Sequence, residues 1–311
     1  SEAESGKQNR LYELLENRTE PVAMAMSLDV IPEDLRPNLL KNLPMDIELS
    51  ELELTAGLTV KEDRISLLLA VGSEDKTVNA MLDKVNEVTR PIDASLLKTA
   101  PSHPAFHLEM GLRGEKLLQL LRENPELRTK LLAANTIFDL DMIVKSIDGD
   151  MAVSAQHIGI NSLDFLFQVR LQDARFMKNV ATWDDEIARL AGVRFTALSD
   201  TRGSVEFDGR TYHFGTEDHR LFVSNTASLS DTTAHHDLAY TWADEMKGNV
   251  LYARLDFSEL RNLLFFIPGA RSLAVFDHLA VSAASVRECK IELVASEHTD
   301  LLQLIRDKWK Q

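Results

Sequence analysis

Two stretches of the chain decide the expected fold. Residues 52–85 read LELTAGLTVKEDRISLLLAVGSEDKTVNAMLDKV, and residues 279–308 read LAVSAASVRECKIELVASEHTDLLQLIRDK. With small gaps, the two align as a strand, a charged turn, a second apolar strand, an acidic cap and an amphipathic helix. The turns are Lys61–Asp63 in the first stretch and Val286–Glu288 in the second. The sequence therefore predicts one supersecondary unit that occurs twice.

Polar residues that can cap a helix stand just before each predicted helix. In the first stretch the cap is Asp75 or Ser73, and in the second it is Thr299 or Asp300. Asn124 has the same role in the middle of the chain, where it precedes a proline. Side chains of these types accept hydrogen bonds from the free N–H groups of a first helical turn. The pattern predicts helix starts at all three places.

A short apolar strand followed by a helix start precedes each copy, and a third such pair stands between them. These strands are residues 22–28, 105–110 and 250–255. Three degenerate strand-helix-hairpin-helix units are the simplest organisation, with the last unit expected to pack against the middle one. Their expected bounds are 1–95, 96–230 and 231–311.

The middle unit carries additional hairpin motifs. Asp148-Gly149 is flanked by apolar stretches at 137–146 and 151–158, and Asp208-Gly209 stands in a similar position. Aspartate followed by glycine favours a type I′ turn, which joins antiparallel strands. Residues 164–171 supply a further strand. Hairpins in this number predict an α+β fold of antiparallel sheets covered by helices.

Composition excludes several functional classes. The 311 residues include 34 Lys and Arg against 49 Asp and Glu, which gives a formal charge of −15. Nucleic acid is not an expected partner, because phosphate backbones attract clustered basic residues. Cys289 is the single cysteine, so no internal disulfide can form. Its alternating surroundings predict a buried, small apolar side chain. No phosphate-loop, dinucleotide or nucleophile-elbow motif occurs, and no cofactor is expected.

Two clusters contain residue types that can bind metal ions. Asp139, Asp141, Asp148 and Asp150 are calcium-type ligands, but the spacing of a calcium loop is missing. Alternation with apolar neighbours instead predicts a solvated strand face with Asp139 and Asp141 pointing outward, and a turn role for Asp148. The second cluster is His235-His236-Asp237, for which no third histidine lies nearby in the sequence. No metal site is predicted from either cluster.

The same histidine cluster contributes to the one candidate binding patch. Tyr240 and Trp242 follow it closely and could form an exposed aromatic surface. The patch therefore comprises His235, His236, Asp237, Tyr240 and Trp242. The remaining histidines considered are expected at the surface or at its rim, and they are His103, His107, His213 and His219.

Several of these features resemble a known family. They are Leu28-Asp29 and Leu255-Asp256 before helices, the duplicated hairpin-helix unit, and the strand Tyr212–Phe214 followed by Leu221–Asn225. This order is similar to that of an uncharacterised family of Bacteroidetes cell-envelope proteins, typically lipoproteins of unknown function. The resemblance implies export, lipid anchoring through an N-terminal cysteine outside this sequence, and a longer parent protein of which this is the C-terminal portion. It implies no active site.

Three hypotheses about function follow. The first is a non-enzymatic cell-envelope module that contacts a protein or a glycan, with membrane association only through the lipid anchor. The second is a hydrolase-type enzyme that uses His235, His236 and Asp237 with a distant partner. The third is self-assembly through an uncovered sheet edge. The sequence favours the first, because function must be argued from a site and no catalytic constellation is visible.

Overall fold

A computed structural model describes residues 10–30, 51–135, 139–159, 162–174, 194–230, 240, 242–267, 270–297 and 299–308. The fold is α+β, as expected, and antiparallel strands form one large sheet. The strands are β1 (Val22–Ser27), β2 (Glu53–Val60), β3 (Arg64–Gly72), β4 (Thr89–Arg90), β5 (Phe106–Arg113), β6 (Ile147–Gln156), β7 (Asp164–Leu171), β8 (Arg194–Ser199), β9 (Arg202–Phe207), β10 (Arg210–Glu217), β11 (Arg220–Ser224), β12 (Leu251–Asp256), β13 (Phe276–Ser285) and β14 (Glu288–Ala295).

Helices of 4 to 13 residues accompany this sheet. They are α1 (Lys76–Val88), α2 (Gly114–Glu123), α3 (Pro125–Ala134), α4 (Leu140–Ser146), α5 (Ala227–Ser230), α6 (Ala243–Met246), α7 (Arg261–Phe265) and α8 (Leu301–Lys308). In the part of the chain that the structure describes, 3-10 turns occupy Leu28–Val30, Ser95–Thr99 and Ala270–Val275. Within the described ranges, no helix has the length and apolar character that a bilayer span requires.

The strands follow the order β1-β2-β3-β14-β13-β12-β5-β6-β7-β11-β10-β9-β8, with β4 paired to β5. The two quoted stretches meet in this sheet, because β3 pairs with β14 and Leu67 lies opposite Ile291. Each stretch folds as an antiparallel hairpin followed by a helix. The sheet continues without a break across the expected unit boundaries, so the division into three units stays a prediction.

Helix caps lie where the sequence predicts them. Asp75 accepts hydrogen bonds from the backbone N–H groups of Thr77 and Val78, at 2.7 and 2.9 Å. The Asn124 side chain caps α3 in the same way. Asp300 accepts from the N–H of Gln303 at 2.9 Å. Because each side chain satisfies N–H groups that the helix leaves free, local sequence is sufficient to start these helices.

One of the two predicted hairpin turns is confirmed. Asp208 and Gly209 connect β9 to β10 with φ angles of 49° and 70°. Both values lie in the left-handed region that a type I′ turn requires.

The hairpin expected at Asp148-Gly149 is wrong. Both residues lie inside β6, where Asp148 pairs with Arg113 and Gly149 with Leu112 of β5. The strand expected before them includes α4, which is capped by Asp139 through the N–H of Met142. Asp139 and Asp141 therefore belong to a helix start, and their expected strand position is also wrong. The positive φ of Gly149 serves an irregularity in the β6–β7 register instead of a turn.

The two faces of the central sheet differ in chemistry. On β5, His107 and Glu109 point to one face, and Leu108 and Met110 point to the other. At His107 and Glu109 the first face is fully buried beneath the 3-10 turn Ser95–Thr99 and its flanking segments. The second face is apolar, and many of its side chains are only half-buried. Below, these are called the polar face and the apolar face.

Candidate functional site

Four side chains of β5 and β6 form a buried polar cluster on the polar face. His107, Glu109, Asp150 and Ser154 have exposed fractions of 1, 0, 1 and 0 %. The strand register brings them together, because His107 pairs with Ser154 and Gly111 with Asp150. Alternation along each strand then directs all four side chains to the same side.

His107 connects two of these groups. Its Nδ1 lies 2.9 Å from Ser154 Oγ, and its Nε2 lies 3.0 Å from Glu109 Oε2. Burial lowers the pKa of His107 to about 3, so the ring is neutral at physiological pH. A neutral imidazole has one N–H donor and one acceptor nitrogen, which matches its two partners.

Asp150 is joined to the segment that covers the sheet. Its Oδ2 accepts hydrogen bonds from the N–H groups of Asp93 and Ala94, at 3.1 and 3.0 Å. Burial, together with the neighbouring carboxyl groups of Asp93 and Glu109, raises the pKa of Asp150 to about 9. Burial also raises the pKa of Glu109 to about 7. The cluster therefore holds protons near neutral pH that isolated carboxyl groups would lose.

Ser154, His107 and Glu109 stand in the order of a nucleophile, a base and an orienting acid. Such a chain catalyses acyl transfer only when a substrate carbonyl can reach the serine oxygen. Ser154 is fully buried, so no substrate reaches it in this structure. Among the described residues, no group of three or more His, Cys, Asp or Glu side chains is arranged to hold a metal ion.

The sequence expectation for His107 and Asp150 is corrected by these positions. His107 was expected at the surface and Asp150 on a solvated strand, yet both are buried. Alternation shows that His107 and Glu109 share a face, but it does not show which face of a sheet is covered. By contrast, His103 and His219 are exposed and His213 is half-buried.

The predicted aromatic pair lies in the cover of the polar face. Trp242 is 8 % exposed, and its ring stacks on Tyr252 with centroids 5.8 Å apart. Tyr240 donates a hydrogen bond from its hydroxyl to the carbonyl of Ala100 at 3.3 Å. The expected exposure is therefore wrong for Trp242, which is buried, whereas Tyr240 is half-buried against the same apolar cluster. His235, His236 and Asp237 lie outside the described residues.

A cleft opens on the apolar face. Its volume is about 380 Å³, and it lies where β3, β14, β13, β12 and β5 run side by side. Pockets for small ligands span about 300–1,000 Å³ and are lined mainly by apolar side chains. The apolar walls include Leu69, Val71, Met110, Leu251, Ala283 and Cys289.

Cys289 and Arg287 give the cleft two distinct features. Cys289 is half-buried in the wall, whereas the sequence predicts a buried side chain. Burial raises the pKa of its thiol. Arg287 is also in the lining, but its guanidinium is bound to α1 through Asn79 Oδ1 at 2.9 Å and Asp83 Oδ1 at 2.8 Å. The lining also includes Glu288, which is exposed. The cleft therefore has apolar walls and two charged residues, of which Arg287 is held by α1.

Comparison with known proteins places the chain in a family. No curated protein matches the sequence. A solved structure titled "Structure of crystal form III of TP0453" is similar, with 14 % sequence identity over 68 % of this chain and 85 % of that chain, and a TM-score of 0.36. Residues 3–265 match the domain of unknown function DUF4836. The match covers more than half of the sequence, and the chain therefore belongs to the DUF4836 family.

Proposed function

We propose that the protein is a non-enzymatic cell-envelope module that binds an apolar chain, such as the acyl chain of a lipid, in the cleft. The observation that carries the proposal is the reversed polarity of the sheet at β5 and β6. There the ionisable side chains of His107, Glu109 and Asp150 lie on the covered face, and the half-exposed face is apolar. A sheet that only needed a stable core would cover its apolar face first, because that burial drives folding.

The apolar face extends over many strands. Leu67 of β3 lies opposite Ile291 of β14, and Ile291 lies opposite Val281 of β13. All three side chains are only half-buried. Contiguous apolar surface that stays accessible is a mark of a binding site in water-soluble domains. The face therefore supports binding of an apolar partner.

The size of the cleft favours a small ligand over a protein partner. A stable protein interface buries about 800 Å² on each partner. A concave cleft of about 380 Å³ is closer in scale to a pocket that encloses one small molecule. A glycan is a weaker candidate, since sugar binding relies on exposed aromatic rings and Trp242 and Tyr252 are buried.

The hydrolase alternative has no supporting observation. His235, His236 and Asp237 lie outside the described residues, and the Ser154–His107–Glu109 chain is closed to solvent. We therefore keep the non-enzymatic function.

Cys289 provides a direct test of cleft occupancy, because it is the single cysteine and lines the wall. The rate of alkylation by N-ethylmaleimide should fall as oleate is added, and the effect should saturate. Butyrate, which has the same carboxylate and a short chain, should leave the rate unchanged. Mass spectrometry of the intact protein measures the modified fraction.

Two variants separate occupancy of the cleft from a general effect of detergent-like molecules. Ala283→Trp places a ring in the cleft and should abolish protection by oleate. Ala284→Trp changes the exposed neighbour outside the lining and should keep it. Equal alkylation rates with and without oleate in the natural sequence would refute the proposal.

We also propose that three related units built the chain and that the parent protein is a Bacteroidetes envelope lipoprotein. The shared order of hairpin and helix in the two quoted stretches, and the pairing of β3 with β14, support a duplication. The family resemblance supports export and a lipid anchor. Metabolic labelling of the parent protein with a palmitate analogue tests the anchor, and absence of label in the envelope fraction would contradict it.

A further inference from the structure

Three carboxyl groups meet where the segment after β4 crosses the polar face. Ile92 exchanges backbone hydrogen bonds with the α6–β12 connection, to Asn249 O at 2.8 Å and from Gly248 N at 3.2 Å. The next two residues, Asp93 and Ala94, donate their N–H groups to Asp150. Asp150 is thus the side chain of β6 that holds this segment to the sheet.

The charged groups around the cluster are engaged with other partners. Arg90 of β4 donates to Asp148 Oδ1 at 2.9 Å. Arg254 of β12 lies 3.4 Å from Asp277 Oδ2 and 3.7 Å from Asp256 Oδ2.

The remaining titratable neighbours supply no positive charge. His107 of β5 is neutral because it is buried. Tyr252 of β12 donates its hydroxyl to Glu245 of α6 at 3.2 Å. Full ionisation of the cluster would therefore place three negative charges side by side, with the nearby described cations already paired.

We propose that Asp93, Asp150 and Glu109 form a proton-dependent latch that holds the segment Ile92–Ala94 on the polar face and releases it when the cluster ionises. A protonated carboxyl group of Asp150 can donate to a neighbouring carboxylate while its other oxygen accepts from the backbone. Asp93 is exposed, and its side-chain hydrogen bond with Asp150 lowers its pKa, so Asp93 is already ionised at neutral pH. Ionisation of Asp150 and Glu109 adds like charges beside it, and like charges repel each other. The segment separates from β6 because it carries one of the three charges. The latch lies on the opposite face of β5 from the cleft, so its test does not depend on ligand binding.

Trp242 reports the position of this segment. Its ring belongs to the same apolar cluster as Ile92, Ala94 and Leu97, and its centroid lies 5.3 Å from that of the His107 ring. The chain has three tryptophans, and replacing Trp183 and Trp309 by phenylalanine leaves Trp242 as the single tryptophan. Release of the segment would expose its ring to solvent.

The experiment measures acrylamide quenching of Trp242 fluorescence between pH 6 and pH 10, with far-UV circular dichroism as the control for global unfolding. The quenching constant should rise about twofold or more across this range, with the secondary structure intact. In Asp150→Asn the amide mimics the protonated acid, and the rise should fall by at least half. The matched control is Asp208→Asn in the exposed β9–β10 turn, which should keep the full rise because asparagine tolerates its positive φ.

Glu109→Gln is the second test of the cluster and decides the question if Asp150→Asn does not fold. It should move the rise in quenching to higher pH. Three results would overturn the proposal. The quenching constant of the unsubstituted protein could stay flat with pH, or its rise could be unchanged in the folded cluster variants. The rise could also occur only together with loss of circular dichroism.

Discussion

At the scale of single residues, the most unusual feature is that ionisable groups occupy the covered side of the sheet at β5 and β6. Glu109 is fully buried between His107 and Asp150, in a position where a carboxylate loses most of its hydration. Desolvation favours the neutral acid, and this is why the pKa of Glu109 rises.

The raised pKa of Glu109, about 7 against an ordinary 4.5, predicts how stability depends on pH. Between these values the folded state binds more protons than the unfolded state, so the free energy of unfolding falls as pH rises. Above pH 7 the loss from this group is complete. Glu109→Gln removes this titrating group. Relative to the variant, the unsubstituted protein should lose on the order of 3 kcal/mol in its free energy of unfolding between pH 4 and pH 8.

Urea denaturation at several pH values measures this difference. Glu87→Gln is the control, because Glu87 is exposed and Lys116 at 2.8 Å lowers its pKa. The pH dependence of its free energy of unfolding should remain close to that of the unsubstituted protein. If the free energy of unfolding changed with pH in the same way in Glu109→Gln and in the unsubstituted protein, the assignment of a protonated Glu109 would be contradicted.

At the scale of elements, α1 connects local sequence to the cleft. Asp75 starts the helix, and its buried residues Val78 and Val88 pack it onto the sheet. Asn79 and Asp83 then bind Arg287 of the β13–β14 turn. The cap thus supports a helix that holds one wall of the cleft in place.

Removing this cap should destabilise the protein. Asp75→Ala leaves two N–H groups of the first turn without their side-chain partner, and we expect a loss of about 1 kcal/mol. Asp75→Asn keeps an accepting oxygen and should lose much less. Chemical denaturation followed by circular dichroism measures both, and equal losses in the two variants would show that capping is not the cause.

At the scale of the whole molecule, one apolar cluster packs the segments around Ile92–Ala100 and Trp242–Met246 against the polar face. It combines Ile92 and Leu97 of the crossing segment, Trp242 and Met246 near α6, and Tyr252 of β12. Burial of these side chains compensates for placing polar, ionisable groups beneath them. The covered face is therefore stable although its centre is polar.

Met246→Ala tests this cluster, because Met246 is fully buried. The cavity left by the missing atoms should reduce the free energy of unfolding by about 2–5 kcal/mol. Leu302→Ala, at a site that is 45 % exposed on α8, should cost less than about 1 kcal/mol. Thermal and urea denaturation compare the two, and similar small losses would place the main core elsewhere.

The sequence alone determined those elements whose causes are local. The caps at Asp75 and Asn124 and the turn at Asp208-Gly209 follow from side chains and φ preferences within a few residues, and the structure confirms them. The same reasoning failed at Asp148-Gly149, where pairing with β5 continues the strand through a sequence that would otherwise turn.

Long-range packing determines which face of the sheet is covered. A period of two places His107 and Glu109 on one side of β5 and Leu108 and Met110 on the other, and it is equally consistent with either side being buried. The choice depends on the segments around Ile92–Ala100 and Trp242, which are distant from β5 in the sequence. Long-range packing therefore created both the buried proton-holding cluster and the open apolar cleft, because it covered the polar side and left the other side half-exposed.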